Sequence, residues 1–455
     1  SKLIQYKMFK KIEIWILYLT LLFSILFTIG FGALVRHEMS GGQGLKNIGL
    51  GWVSETALFF AEIPTNLKRI LISDLILEDR FSSIDGFDGS PNSKESYLLL
   101  SRYDHDLKEE VVELVDLRSF EILHTWNPDV KTINNLVEQT DEFKHLGTGI
   151  IHPKLLQDGG LLFKDDTPLR KIDYCSNLVF QNTKDRFHHS IETDIDSNVW
   201  IPSRIYPQSL PIKKVGRNIK EEDGYVDDSI VKLSADGEIL FEKSVSQIFI
   251  DNGLEYLLFG HGATYEKDPI HLNDIQPVDF DGDYWKKGDV FLSPRAQSMV
   301  LLYRPSTNKI IWKGVGSFFR QHDVNILDNT RISIFNNNFK SFASGHQVDG
   351  NNEVIIYDFA TDEYSSYLKD SLVKNDVRTI TQGRGHILLN GDLYIEETDY
   401  GRTLYFNSDG SLRWTHVNRG SDGNIYRVGW SRILYSPGDI KIVENFLRKR
   451  GVCNE

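Results

Sequence analysis

The chain has 455 residues, 40% hydrophobic and 25% charged, with a formal net charge of −13. This length and balance suit a large globular core and exclude a wholly disordered chain. The acidic excess argues against a nucleic-acid partner, which would need a basic patch to neutralise phosphates.

In chain order, residues 12–35 are a nearly uninterrupted apolar run, with Glu13 as a single charge at its edge. The run is long enough to cross a bilayer as a helix. Lys2, Lys7, Lys10 and Lys11 precede it, and Arg36 follows closely. The bias predicts a cytoplasmic basic tail over 1–11, a transmembrane signal anchor over 12–35 and a periplasmic or extracellular remainder. A cleaved signal peptide fits less well, because the run exceeds a usual signal core and no small-x-small site follows it. Residues 36–96 read as a linker with short helices. Gly41-Gly42-Gln43-Gly44 is a flexible step, Trp52 to Leu75 carries apolar residues at helical spacing, and Asp85 to Ser96 looks like a loop.

From Tyr97 the pattern becomes short β-type runs separated by turn residues. A polar turn leading to an aromatic recurs at Leu117 to Trp126, Ser234 to Phe241, Ser306 to Trp312, Ala360 to Tyr367 and Asn407 to Trp414. Repeats of this length with one aromatic per unit indicate a propeller. Six units fall at about 97–127, 150–182, 188–245, 270–315, 321–370 and 381–418. The predicted fold is all-β: a six-bladed β-propeller over 97–445, behind an N-terminal transmembrane helix and a short helical linker. The segment from Tyr426 to Val443 would supply a strand that closes the ring, and 446–455 would be a C-terminal tail. Long insertions, Tyr206 to Val226 and Ser246 to Asp268, sit where propellers commonly carry function.

Histidines introduce four successive strand-like segments: His152, His188-His189, His271 and His322. In the fifth, Arg384 takes the equivalent place. If the segments are inner strands of blades, these residues recur around one rim of the central channel. Second strands end on the same rim, which adds Arg204 and Arg295. Successive strand residues alternate faces, so one of His188 and His189 should enter the channel, and His189 is favoured. Such a pocket suits a tetrahedral oxyanion such as sulfate or phosphate, because arginine offers a fixed fork of donors. A neutral histidine can attack as a nucleophile while its neighbour moves a proton.

These residues carry a family resemblance. The chain resembles the arylsulfotransferases, the bacterial aryl-sulfate sulfotransferases and their relatives, over roughly residues 97–420. The matching stretches are Phe187-His188-His189-Ser190-Ile191 running into Asp196-Ser197-Asn198-Val199-Trp200, and His271-Leu272-Asn273-Asp274-Ile275. They continue with Leu292-Ser293-Pro294-Arg295 and with Gln321-His322-Asp323 through Asn336-Asn337-Asn338. The resemblance implies an exported propeller that moves a sulfo group from one phenolic sulfate to another hydroxyl, without a nucleotide donor, through a transiently sulfated histidine. It assigns that nucleophile to His322, the cradle for the sulfo oxygens to Arg295 and His271, and a cradle or proton-transfer role to His189. His188, Asn273, Arg204, Arg384 and His152 are expected to contribute to substrate binding. No metal and no cofactor is expected, since Arg295 would repel a cation from the histidines. The expected partners are a small-molecule aryl sulfate, a hydroxyl acceptor and the membrane, with homo-oligomers or membrane-complex subunits left open.

Two departures stand out: the acidic insertion Asp279-Phe280-Asp281-Gly282-Asp283, and the anchor itself. They leave room for a membrane-associated or polymeric substrate. The rival reading is a non-catalytic propeller subunit or scaffold of an envelope complex, since propellers host many functions. Asp279, Asp281 and Asp283 have calcium-loop spacing, but Tyr284 and Val290 replace the glycine and glutamate such a loop uses. Glu396 and Glu397 read either as a general base or, preferentially, as a solvated strand end. Cys175 and Cys453 either pair in an oxidising compartment or remain a buried thiol and a free tail thiol.

Overall fold

Runs such as Leu98-Leu99-Leu100 and Val300-Leu301-Leu302 bury side chains on both faces, as strands stacked between neighbouring sheets must. The computed structural model describes residues 13–39, 44–71, 76–81, 83–137, 147, 149–184, 186–210, 225–259, 266–342, 345–448 and 453. The basic tail over 1–11, Gly41 to Gln43 and the middle of the first insertion, 211–224, lie outside them. The chain divides into two compact units, one from the N-terminus to Asp74 with Gly262–Tyr265, the other holding the remainder.

In the first unit, Ile14–Met39 is a helix of 26 residues with mean hydropathy 2.3 and no buried residue. At 1.5 Å per residue it spans about 39 Å, more than the hydrocarbon core of a bilayer. After the short turn Gly44–Asn47, the chain forms one helix, Gly51–Leu71, where one or two shorter helices were expected. Its apolar spacing continues on both sides of Pro64, so the helix persists through that residue. Glu38 accepts hydrogen bonds from Lys46 Nζ at 2.7 Å and Ser54 Oγ at 2.8 Å, joining the ends of these helices.

The second unit is a six-bladed propeller. Blade 1 is Arg432–Leu434, Tyr97–Asp104, Glu109–Asp116 and Glu121–Trp126. Blade 2 is Ile151–Leu155, Leu161–Lys164, Leu169–Ile172 and Leu178–Asn182. Blade 3 is Glu192–Thr193, Val199–Arg204, Asp228–Leu233 and Ile239–Ser244. Blade 4 is Leu272–Pro277, Val290–Pro294, Met299–Arg304 and Lys309–Val315. Blade 5 is His322–Ile326, Arg331–Asn336, Glu353–Asp358 and Glu363–Tyr367. Blade 6 is Arg384–Ile387, Leu393–Glu397, Arg402–Phe406 and Leu412–Val417, with Gly86–Gly89 added to its outer edge. The expected loop over Asp85 to Ser96 is therefore partly a strand, and Ile76–Leu77 also pairs, with Tyr426 and Ile425. The recurring aromatics behave as blade packing: Trp126 and Trp414 are fully buried between sheets.

The ring closes where Arg432–Leu434 pairs with Tyr97 to Leu99. The closing strand is shorter than expected. Ile442 and Val443 belong instead to the helix Pro437–Arg448, whose Val443 and Phe446 pack beside Trp126. Cys453 is bonded to Cys175 of blade 2, with the Cα atoms 5.5 Å apart. The bridge ties the chain end to the ring across 278 residues of sequence. Cys453→Ser is expected to lower unfolding stability by about 2–4 kcal/mol. Denaturant titration of the two proteins in non-reducing buffer checks this, and reductant should erase the difference.

Buried carboxylates join one blade to the next. Asp228 of blade 3 accepts the backbone N–H of Leu272 at 2.7 Å, and Asp274 of blade 4 accepts that of Val324 at 2.7 Å. Asp323 of blade 5 accepts that of Gly385 at 3.0 Å. Glu396 of blade 6 accepts those of Trp430 at 2.8 Å and Ser431 at 2.6 Å. Glu396 and Glu397 are thus neither solvated nor a free base. Both are fully buried, and Glu397 is paired with Arg402 and with the Arg378 N–H. Inner strands leave N–H groups that need acceptors away from water, and these carboxylates supply them.

Candidate active site

The histidines converge on one rim from different register positions. His322 opens its strand opposite Phe335, and the matching places in blades 4 and 2 are Leu272 opposite Pro294 and Ile151 opposite Lys164. Each pair is followed by the same one-residue shift in the ladder. His271 therefore precedes the position that His322 occupies, and His152 follows it. His188 and His189 lie ahead of the strand Glu192–Thr193 altogether. Left-handed backbone makes this possible, with φ of 56° at His152, 55° at His189 and 52° at His271. Histidine is among the residues that tolerate this region.

That geometry also changes the expectation for the histidine pair. Because His189 is not extended, the alternation of faces fails, and both rings meet, with Nδ1 to Nδ1 at 2.8 Å. His189 is the one in the cluster, with its ring centroid 5.0 Å from His271 and 6.3 Å from His322. His188 stands behind it, its Nε2 3.2 Å from the Ser203 carbonyl and 3.1 Å from Asp228. Nε2 of His188 must then carry the hydrogen, so its Nδ1 accepts from Nδ1–H of His189. The Nε2 of His189 is left with a lone pair.

The same logic settles His322. Asn337 donates its Nδ2 to the carbonyl of Gln382 at 2.8 Å, so its Oδ1 faces His322 Nδ1 at 2.6 Å. An acceptor there requires Nδ1–H, which in the neutral ring leaves the lone pair on Nε2. His322 is 1% exposed. Burial first, and Arg295 second, push its pKa well below 6.5, so the ring is neutral at pH 7. Burial does the same for His189.

His271 is the accessible member of the set, with its side chain 26% exposed. Asp268 accepts its Nδ1–H at 2.6 Å and its backbone N–H at 3.1 Å. Arg295 begins the single 3-10 turn Arg295–Gln297, and its N–H bonds the carbonyl of His271 at 3.0 Å. Its Nε is buried with no hydrogen-bond partner among the described residues. Burial and the nearby Arg320 lower its pKa, the sign of a cation short of counter-charge.

The remaining expected residues divide. Asn273 is fully buried and donates to the Gln321 carbonyl at 2.8 Å, so it positions the backbone next to His322. Arg204 keeps a buried Nε without a partner among the described residues. His152 packs on Trp430, with ring centroids 4.3 Å apart, and its Nδ1 is also unpartnered there. Arg384 departs from expectation. Its fork is taken by Asp323 at 2.9 and 3.0 Å, it lies 3.7 Å from Glu192, and it stacks 5.0 Å over Trp430. A guanidinium so engaged braces the channel.

Asn337, Asp228, Trp430 and Asp268 were not expected as site residues. Asn337 sits in an asparagine run that the residue types alone cannot rank. Asp268 stands three residues before His271, a spacing that could have signalled it. In the acidic insertion, Asp279 accepts the Ile195 N–H and Asp281 the Lys287 N–H, both loop-fixing bonds.

Several solved structures are similar to this chain at low identity. A protein of unknown function from Bacteroides caccae is 11% identical, with 75% of this chain and 99% of that chain covered and a TM-score of 0.44. Streptogramin B lyase is 11% identical over 76% and 96% of the chains, with a TM-score of 0.37. TolB from Acinetobacter baumannii is 11% identical over 81% and 69%, with a TM-score of 0.40. No curated protein matches the sequence. The arylsulfotransferase (ASST) family model, in contrast, matches residues 152–419, more than half of the chain, including His189, His271, Arg295 and His322. This chain belongs to the arylsulfotransferase family.

Proposed function

We propose that the protein is a membrane-anchored aryl-sulfate sulfotransferase that works in two half-reactions through His322. The observation that carries this reading is the tautomer of His322. Its Nδ1–H is held by Asn337, its Nε2 keeps the lone pair, and the ring feels the charge of Arg295, whose buried Nε has no hydrogen-bond partner among the described residues. In the first half-reaction the Nε2 lone pair attacks the sulfur of an aryl sulfate. The N–S bond forms, the bond from sulfur to the aryl oxygen breaks, and the aryl oxygen leaves as a phenolate that takes its proton from solvent. In the second, an acceptor hydroxyl passes its proton to His271, its oxygen attacks the sulfur, and the N–S bond breaks. Arg295 offers its donors to the sulfo oxygens, where charge builds during each transfer.

Separate features support the anchor and the compartment. The apolar helix Ile14–Met39 would hold the chain in a bilayer, and the lysines ahead of it favour a cytoplasmic N-terminus. The Cys175–Cys453 bridge suits an oxidising compartment such as the periplasm or cell exterior.

Peptide mass spectrometry after brief exposure of the detergent-purified protein to 4-nitrophenyl sulfate tests the proposal. A sulfo adduct is expected on the His322 peptide. Its absence across several aryl sulfates would sink the reading.

Asp268 would make His271 an effective base by fixing its tautomer and stabilising the imidazolium. Asp268→Asn is expected to slow transfer to the acceptor by about 10²-fold or more, with adduct formation much less affected. Single-turnover kinetics of the two half-reactions check this.

A further inference from the structure

Lys164 ends the second strand of blade 2, opposite Ile151, and is 0% exposed. Its Nζ has no hydrogen-bond partner among the described residues. Burial pushes this ammonium down to about 7. Asp166 and Asp165 oppose the shift without bonding to it, and Arg204 adds to it. Lys164 and Arg204 end the second strands of neighbouring blades, on the rim where His152 stands at the start of the first strand of blade 2, and the ammonium's charge helps lower the pKa of His152, His188 and His189. The buried Nδ1 of His152 and Nε of Arg204 are also without partners. Blades 2 and 3 thus place three buried nitrogen atoms on the rim that holds His189, each without a hydrogen-bond partner among the described residues.

Buried donors are normally satisfied, and an exception calls for a ligand or a function. An apolar side chain at position 164 would avoid the desolvation of an amine, so packing does not explain the lysine. The cradle of Arg295, His271 and His322 already accounts for one sulfo group. Lys164, His152 and Arg204 belong to blades 2 and 3, whereas Arg295 and His322 belong to blades 4 and 5, so this group calls for its own anion.

We propose that Lys164, His152 and Arg204 form a second anion subsite, which binds the carboxylate of a phenolic acceptor while its hydroxyl faces His271 and His322. The inference rests on the sulfotransfer reading and narrows its acceptor to phenols that carry a second, anionic group.

Lys164→Met in the full-length protein tests it, with 4-nitrophenyl sulfate as donor and 4-hydroxybenzoate or phenol as acceptor. Methionine keeps the length of the side chain and removes the charge, so the variant is expected to melt no lower than the wild type. The ratio of kcat/KM for 4-hydroxybenzoate over that for phenol is expected to fall by about tenfold or more, mainly through KM. Calorimetric binding of 4-hydroxybenzoate should weaken by a similar factor. An unchanged ratio, or equal losses with both acceptors, would overturn the subsite. The binding arm separates the two ideas. If the wild type transfers no sulfo group yet binds 4-hydroxybenzoate in a Lys164-dependent way, the subsite stands and the sulfotransfer reading fails. Binding that does not depend on Lys164 overturns the subsite whatever the turnover.

Discussion

His322→Asn is expected to abolish the sulfo adduct and to reduce transfer between phenols by roughly 10⁴-fold or more, the scale seen when a covalent nucleophile is removed. The substitution is mild for the fold. Asparagine is smaller than histidine, and its side-chain amide can still donate toward Asn337 Oδ1, which now bonds Nδ1–H. Melting should therefore move little while activity vanishes, and the two measurements together separate nucleophile from scaffold. The wild-type pH profile adds an independent check. Burial and Arg295 depress the pKa of His322 below 6.5, and the neutral ring is the reactive form. The acidic limb of kcat/KM, which reports the free enzyme, should then lie well below pH 6.5, with activity lost only as pH falls through the depressed value.

Arg295→Met is expected to cost about 10²–10³-fold in kcat with smaller changes in KM, because its donors matter most where sulfo charge grows in the transition state. Its Nε has no protein partner among the described residues, so methionine leaves no broken ion pair behind and relieves the depressed cation. Arg295→Lys should recover only part of the loss, since a single ammonium cannot replace the planar fork. The adduct should still form slowly in both variants, in contrast to His322→Asn. Rapid-quench sampling of the His322 peptide distinguishes these outcomes.

The architecture was legible in the chain because strand, turn and aromatic recur at a length that suits one blade and little else. The run over 12–35 was legible because hydrophobic length is a one-dimensional property. The choice of His189, His271, Arg295 and His322 came from residue types and order. The reason offered for their convergence, a shared register, was wrong. Bulges and left-handed residues place His271 and His322 at different ladder positions, and backbone conformation of that kind is not encoded in a hydrophobic pattern. The same cause defeated the alternation argument at His188 and His189. The engagement of Arg384 by Asp323 was not legible, because the two stand 61 residues apart in sequence. Glu396 looked solvated because its partners, the N–H groups of Trp430 and Ser431, arrive only when the ring closes.

The sequence by itself determined the class of the molecule: an apolar N-terminal segment, a six-unit β repeat and a set of histidines and arginines suited to an oxyanion. Only the tertiary structure decided which of those side chains are spent on bracing the ring and which are left unpaired. It also decided which ring nitrogen of His322 carries the hydrogen, and that Cys453 reaches Cys175. The reason is physical. Periodicity and composition act through neighbours along the chain, whereas tautomers, counter-ions and buried donors are set by groups brought close only when six separate sheets share one axis.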